Sequence, residues 1–160
     1  MPLVLLCLLA AQASPAPLPE ALPPGAAVAV EPVPREPVIR RIEVNPQRLD
    51  AELAEASRTA AREHARVLVV LGARWCEPCR ALDAAFARES NRAVLAGWWL
   101  VEVDVDALPP GPVLGRSAHT VPALVRLGPS GRPVSRLEGP ALPTDSAPGL
   151  DEALRNFLAP

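Results

Sequence analysis

Five consecutive aliphatic residues, Val67-Leu68-Val69-Val70-Leu71, run into Gly72 and then into Trp75-Cys76-Glu77-Pro78-Cys79. An unbroken aliphatic run has no polar face, so it suits a strand covered on both sides. Gly72 to Trp75 turns the chain, and from Cys76 to about Arg88 the residues Leu82, Ala85 and Phe86 share one helical side. Two thiols therefore stand where a buried strand becomes a helix. A helix N-terminus offers unpaired N–H groups and the positive end of the macrodipole, and both favour a thiolate over a thiol. Cys76, taken as the exposed first sulfur, is the expected nucleophile. Cys79, one turn further in, is placed to attack the mixed disulfide on Cys76 and release the partner. The spacing points to disulfide exchange.

The flanking segments supply the rest of a domain. Val38 to Val44 suits a first, edge strand. Asn45-Pro46 reads as an N-cap followed by proline at the first helical position, with Leu49, Leu53, Ala56 and Ala60 recurring at helical spacing to about His64. Ser90 is positioned to cap a short helix through Leu95, and Leu100 to Val105 alternates as a strand does. Pro109 to Thr120 reads as a loop with one helical turn. Ala123–Leu127 and Val134–Glu138 flank Gly128-Pro129-Ser130-Gly131, a hairpin signal, and Leu150–Leu158 closes the chain as a helix. No internal repeat is visible. This order of helices and strands is an α/β fold with a mixed sheet flanked by helices.

Composition narrows the chemistry. The chain has 160 residues, room for one ordinary domain, and a net charge of −2. Arg and acids are interspersed, so neither a nucleic-acid groove nor an anionic membrane surface is indicated. All 16 basic side chains are Arg and there is no Tyr. Schiff-base and lysine-base mechanisms, the Walker-type phosphate loop and phenolic acids are excluded. Met1 to Ala13 reads as an export signal: an apolar stretch from Leu3 to Ala11, then Ala11-Gln12-Ala13 as a small-x-small cleavage site. It is too short to span a bilayer, and it lacks the usual basic residue ahead of the apolar stretch. Cys7 does not suit a lipid anchor, because Leu6 precedes it where a small residue is wanted. Cleavage after Ala13 leaves Cys76 and Cys79 as the sole thiols, suited to an oxidising periplasmic or extracellular setting. Residues 14–37, dense in Pro and Ala, read as a semi-extended linker ahead of a domain over 38–160.

Three features in order resemble the thioredoxin superfamily. They are Trp75-Cys76-Glu77-Pro78-Cys79-Arg80 after a buried strand, Val101-Glu102-Val103-Asp104-Val105-Asp106, and Thr120-Val121-Pro122-Ala123 before the final hairpin. The resemblance spans about Asn45 to Pro160, and the spacing from Cys79 to the second strand is similar to that of the exported domains that end transmembrane disulfide reductases. It implies a thioredoxin-like fold, a cis bond before Pro122, and Pro122 beside Cys76, with the backbone of Val121 pairing with an extended substrate and Trp75 shielding the sulfurs. It also implies protein thiols and disulfides as substrates, a redox partner that resets the pair, and no cofactor beyond the Cys76–Cys79 disulfide.

The sequence also departs from that pattern. Cytoplasmic thioredoxins carry a buried Asp six residues before the first Cys, and here that place is Val70. Glu102 falls where those proteins often place a charged residue on the neighbouring strand, so it is a candidate to serve Cys79; its alternative is a solvated strand residue. Glu77 and Pro78 modulate the pair. A carboxylate at Glu77 raises the Cys76 pKa and opposes the helix dipole, which argues against an extreme oxidant.

Other candidates have plainer readings. Arg74 and Arg80 flank the motif, either stabilising the Cys76 thiolate or staying solvated. His119 lies three residues before Pro122, and His64 ends a helix where its imidazole suits the dipole. Cys76, Cys79 and His119 would be a thin ligand set for zinc or copper, since structural zinc wants four ligands, so no metal is assigned. Trp98-Trp99 is expected at the core or its rim. The leading expectation is an exported thiol–disulfide oxidoreductase, favouring reduction or isomerisation over strong oxidation. Its competitor is a non-catalytic peptide-binding module with a stable Cys76–Cys79 disulfide, and a copper-handling chaperone stands further off.

Overall fold

The computed structural model describes residues 48–117 and 120–159 together with 38–41, the last four and Ser117 by their backbone alone. The export segment 1–13, the linker 14–37, Asn45-Pro46 and His119 lie outside the described residues.

The aliphatic run forms β2 (Arg66–Gly72), and Val67 to Leu71 are all buried. On one side β2 runs parallel to β3 (Trp98–Asp104), and on the other it pairs antiparallel with β6 (Ala123–Leu127). The edges are β1 (Val38–Arg41), parallel to β3, and β7 (Pro133–Glu138), antiparallel to β6, so the order is β1-β3-β2-β6-β7. A five-stranded mixed sheet results, with helices on both faces.

Side-chain alternation along β2 divides the core in two. Val67, Val69 and Leu71 join Trp99, Val101, Val103, Ala123 and Val125 under α1 (Leu49–Arg62). Leu68 and Val70 join Trp98, Leu100 and Leu124 under α2 (Glu77–Ala87), α3 (Glu89–Leu95) and α4 (Ala147–Leu158). Full burial of one such side chain stabilises by about 1.5 to 3 kcal/mol, so the five of β2 make it the anchor of both halves.

Several boundaries differ from the sequence expectation, each for a local reason. Helix α1 begins at Leu49, with Arg48 at the N-cap position making no side-chain cap bond. At its other end His64 adopts φ 55°, Ala65 N–H donates to Ala60 O at 2.8 Å and His64 N–H to Ala61 O at 3.2 Å. This is a Schellman closure, built on His where Gly is usual. Ser90 does not cap α3; Arg88 does, its extended ψ of 135° both ending α2 and starting α3. The join is secured by the buried Asn91, whose Nδ2 donates to Ala85 O at 2.8 Å and to Asp151 Oδ1 at 2.7 Å. Strand β3 begins two residues earlier than expected and is buried through its first four residues, because it lies inside the sheet. Trp98 and Trp99 are therefore core residues on opposite faces.

The segment expected as a loop with one helical turn is more ordered. A 3-10 turn spans Val105–Ala107, ahead of that segment, and a small hairpin follows, β4 (Pro112–Val113) and β5 (Arg116–Ser117). Its turn residues Leu114 and Gly115 have φ 49° and 80°. Positive φ at both central positions is the mark of a two-residue hairpin turn. The chain then reaches Val121–Pro122, whose peptide bond is cis, and enters β6. Among the described residues no helix is long and apolar enough to cross a membrane.

Candidate active site

Strand β2 leaves the sheet at Gly72, and Cys76 takes the N-cap position of α2 with Pro78 inside the first turn. Proline is tolerated there because its missing N–H would have no helical partner anyway. Cys76 and Cys79 form a disulfide of S–S 2.03 Å with Cα atoms 5.3 Å apart. The Cys79 N–H also donates to Cys76 Sγ at 3.1 Å. The sulfur thus does what a Ser or Asp oxygen does at other N-caps, accepting one of the helix's free N–H groups.

That geometry corrects the expectation of an exposed Cys76. Cys76 is only 2% exposed, whereas Cys79 is half-buried. An N-cap side chain that folds back over its own first turn is carried inward, and the disulfide keeps it there. The half-buried cysteine is the one expected to resolve the intermediate.

Cys79 faces the sheet. A Cβ built on Gly72 would stand 3.5 Å from Cys79 Sγ, so this sulfur lies over the end of β2. Cys79 lines a cavity of about 310 Å3 with Val70, Gly72, Arg74, Asp83, Glu102 and Asp104 among its walls. The sheet register explains the company. Val70 is paired with Glu102 and Gly72 with Asp104, and Trp98 and Leu100 precede them on the same face of β3. Period two therefore turns both acids toward α2. Val70 occupies the floor as an apolar wall, and carboxylates stand on the neighbouring strand instead.

Trp75 is 65% exposed, yet its indole is held: Nε1 donates to Asp106 Oδ1 at 3.1 Å and Oδ2 at 2.9 Å. Asp106 is itself oriented, because its N–H donates to Asp104 Oδ1 at 3.0 Å. Asp104 thus reaches from the wall of the Cys79 cavity to the support of Trp75. Asp83, Asp104 and Asp106 were not singled out from the sequence. The alternation of Trp98, Leu100, Glu102 and Asp104 carried the signal for Asp104, whereas Asp106 depends on the 3-10 turn.

Glu77 projects into solvent with its carboxylate 4.0 Å from Arg80, a long, exposed contact that offsets its charge near the helix start only in part. Arg74 is exposed and lines the Cys79 cavity. Pro122 is buried and Val121 half-buried. Leu71 of β2 is paired with Ala123 of β6, so Pro122 stands at the sheet end from which the chain departs toward Cys76. Among the described residues no group of three or more His, Cys, Asp or Glu is arranged to hold a metal.

A family model described as thioredoxin-like matches residues 48–129, about half of the chain. The chain belongs to the thioredoxin-like family. The matched span takes in the Cys76–Cys79 junction, β3 and the Val121–Pro122 bond. Among solved structures the thioredoxin-like chain is similar to a disulphide isomerase from Xylella fastidiosa Temecula1, at 23% identity and TM-score 0.49, covering 73% of this chain and 91% of that one. It is also similar to thioredoxin O2 from Arabidopsis thaliana in the oxidised state, at 16% identity and TM-score 0.45, covering 75% and 94%. A poplar thioredoxin h is similar at 22% identity and TM-score 0.44, covering 76% and 97%. No curated protein matches. A thioredoxin-like domain whose CxxC pair closes into a disulfide supports thiol–disulfide exchange at the level of the family.

Proposed function

We propose that this chain is an exported thiol–disulfide oxidoreductase acting on protein substrates, with Cys76 as nucleophile and Cys79 as resolving thiol. The observation that carries the reading is the bond from the Cys79 N–H to Cys76 Sγ at a helix N-terminus. A donor aimed at that sulfur favours its thiolate when the pair is reduced. The thiolate attacks a substrate disulfide, the S–S bond breaks, and one substrate sulfur leaves as a thiolate. Cys79 gives up its proton and attacks Cys76 Sγ, which frees the second substrate sulfur and restores the Cys76–Cys79 disulfide. Glu102 is the proposed proton acceptor, since it shares the cavity with Cys79. Val121 and Pro122 form the edge on which an extended substrate pairs, and Trp75 adds an apolar surface next to Cys76.

Reduction or isomerisation is favoured over strong oxidation, because Glu77 places a carboxylate between the two cysteines. A thiol-bearing redox partner resets the pair. Export to the periplasm or the exterior is supported by residues 1–13 and the proline-rich 14–37.

Equilibrating the pair with glutathione tests the reading: a low potential is expected for a reductase, and a potential near that of the strong oxidants reverses the direction. Cys79→Ser should accumulate substrate proteins as mixed disulfides on Cys76. The burial of Cys76 favours a second reading, a peptide-binding module whose disulfide is only structural. A pair that never equilibrates with glutathione, together with an empty Cys79→Ser trap, would select that second reading.

A further inference from the structure

Glu138 joins two arginines at the sheet end that carries Pro122. Arg136 on β7 has a side chain only 10% exposed, and its Nε donates to Glu138 Oε2, while Arg116 Nη1 of β5 lies 3.6 Å from Glu138 Oε1. Glu138 is paired across the ladder with Ala123, the residue after Pro122, and Arg136 with Val125. Ala123 and Val125 belong to the apolar cluster under α1, so cross-strand pairing puts Glu138 and Arg136 on that same face.

A buried guanidinium demands a carboxylate, and removing one partner of such a pair leaves an uncompensated charge. The demand is strong here, since Arg136 Nη1 and Nη2 are buried with no hydrogen-bond partner. Glu138 is therefore held by Arg136 and presents its second oxygen to Arg116. That second contact reaches a different element. Arg116 ends the hairpin turn whose other side chains, Val113 and Leu114, pack in the same cluster as Val121. Val113, Leu114 and Val121 thus belong to one apolar cluster, and the Arg116–Glu138 pair joins the hairpin to β7.

We propose that Glu138 is a positioning residue: through Arg116 it sets the β4–β5 hairpin and, with it, the Val121 backbone on which protein substrates dock. The proposal rests on the oxidoreductase reading above. Its distinguishing consequence is an effect on substrate affinity without an effect on the sulfurs, because none of these residues lines the Cys79 cavity.

The test is reduction of insulin disulfides by the full chain with a small dithiol as electron donor, with the glutathione potential measured alongside. Arg116→Ala leaves the buried Arg136–Glu138 pair intact and so should fold. Its KM for insulin should rise about fivefold, the scale of one partly exposed ion pair, with kcat and potential unchanged. Glu138→Gln, which also leaves Arg136 without its charge partner, should lower the denaturation midpoint and raise KM at least as far, and adding Arg116→Ala to it should raise KM no further. Additive effects, an unchanged KM in Arg116→Ala, or a shifted potential would each overturn the proposal while leaving the oxidoreductase reading standing. A wild-type chain that neither reduces insulin nor equilibrates with glutathione overturns both.

Discussion

Two stretches of chain converge on the disulfide, and they are held in different ways. The β2–α2 junction, residues 66–87, is local and apolar: a strand buried on both faces, a short turn, and a helix packed back through Leu82, Ala85 and Phe86. The β3–β6 connection, described over 105–117 and 120–122, sets only Val113 fully into the core under α1, with Val105, Leu108, Leu114 and Val121 partly buried, and adds exposed or partly exposed polar contacts, Trp75 to Asp106, Asp106 to Asp104, and Arg116 to Glu138. Apolar burial is worth about 1.5 to 3 kcal/mol per side chain, whereas an exposed hydrogen bond or ion pair is worth about 1 kcal/mol or less. The junction should therefore govern whether the sulfurs are held at all, and the connection should govern how a substrate meets them.

The largest expected effect comes from breaking the junction. Leu82 is fully buried in the core between α2 and the sheet and also lines the cavity at Cys79. Leu82→Ala should cost about 2 to 5 kcal/mol in chemical denaturation, the range for a buried leucine that leaves a cavity. A loss under about 1 kcal/mol would mean that α2 settles onto the sheet without it, and the contrast between the two stretches would fail.

Breaking the connection should look different. Asp106→Ala removes the acceptor of the Trp75 indole, and stability should fall by less than about 1 kcal/mol because the contact is exposed. The readout is fluorescence together with KM. Trp98 and Trp99 are buried, so a red shift confined to the exposed component reports Trp75, and KM for a protein disulfide should rise more than kcat falls. A stability loss as large as that of Leu82→Ala would erase the distinction.

The two stretches were also unequally legible in the sequence. The aliphatic run, the cysteines and the helix after them are neighbours along the chain, so periodicity and capping rules found them within a residue or two. The β4–β5 hairpin hides in a segment with the composition of a loop because its turn is Leu114-Gly115 and not the Asn-Gly or Asp-Gly that announces such turns. Asp106 has no local signature, since its partner Trp75 lies 31 residues away. The exposure expected of Cys76 failed for a related reason. Which way an N-cap side chain turns depends on the bond it accepts from Cys79 N–H, and the spacing of two cysteines does not encode that.

A third element, α4, fastens α2 from behind through charge. Asp151 of α4 accepts from Arg88 Nε at 3.1 Å, with Nη2 closer still, and from Asn91. The hydrogen bond from Arg88 is the main cause that lowers the Asp151 pKa below its ordinary 3.8, with that from Asn91 next. A carboxyl with a depressed folded pKa adds stability above its unfolded value and loses it as pH falls through the folded one. Wild-type denaturation midpoints should therefore decline as pH drops below about 4, and Asp151→Asn should flatten that decline. An unchanged slope in the variant would assign the acid sensitivity to other carboxylates.

The smallest effect belongs to neither stretch and calibrates both. His64 closes α1 at φ 55°, a conformation that costs an L-residue about 1 kcal/mol and glycine almost nothing. Glycine's extra freedom in the unfolded chain takes back part of that gain. His64→Gly should thus raise stability by about 0.5 kcal/mol, seen as a small increase in the denaturation midpoint at constant slope. The helix end it relieves leads into Arg66, at the opposite end of β2 from Gly72 and the cysteines. The glutathione potential and the KM for protein disulfides should stay at their wild-type values, so that stability alone moves. A potential that shifts with this variant would show that strain travels the length of β2, and the division between holding the sulfurs and presenting the substrate would have to be redrawn.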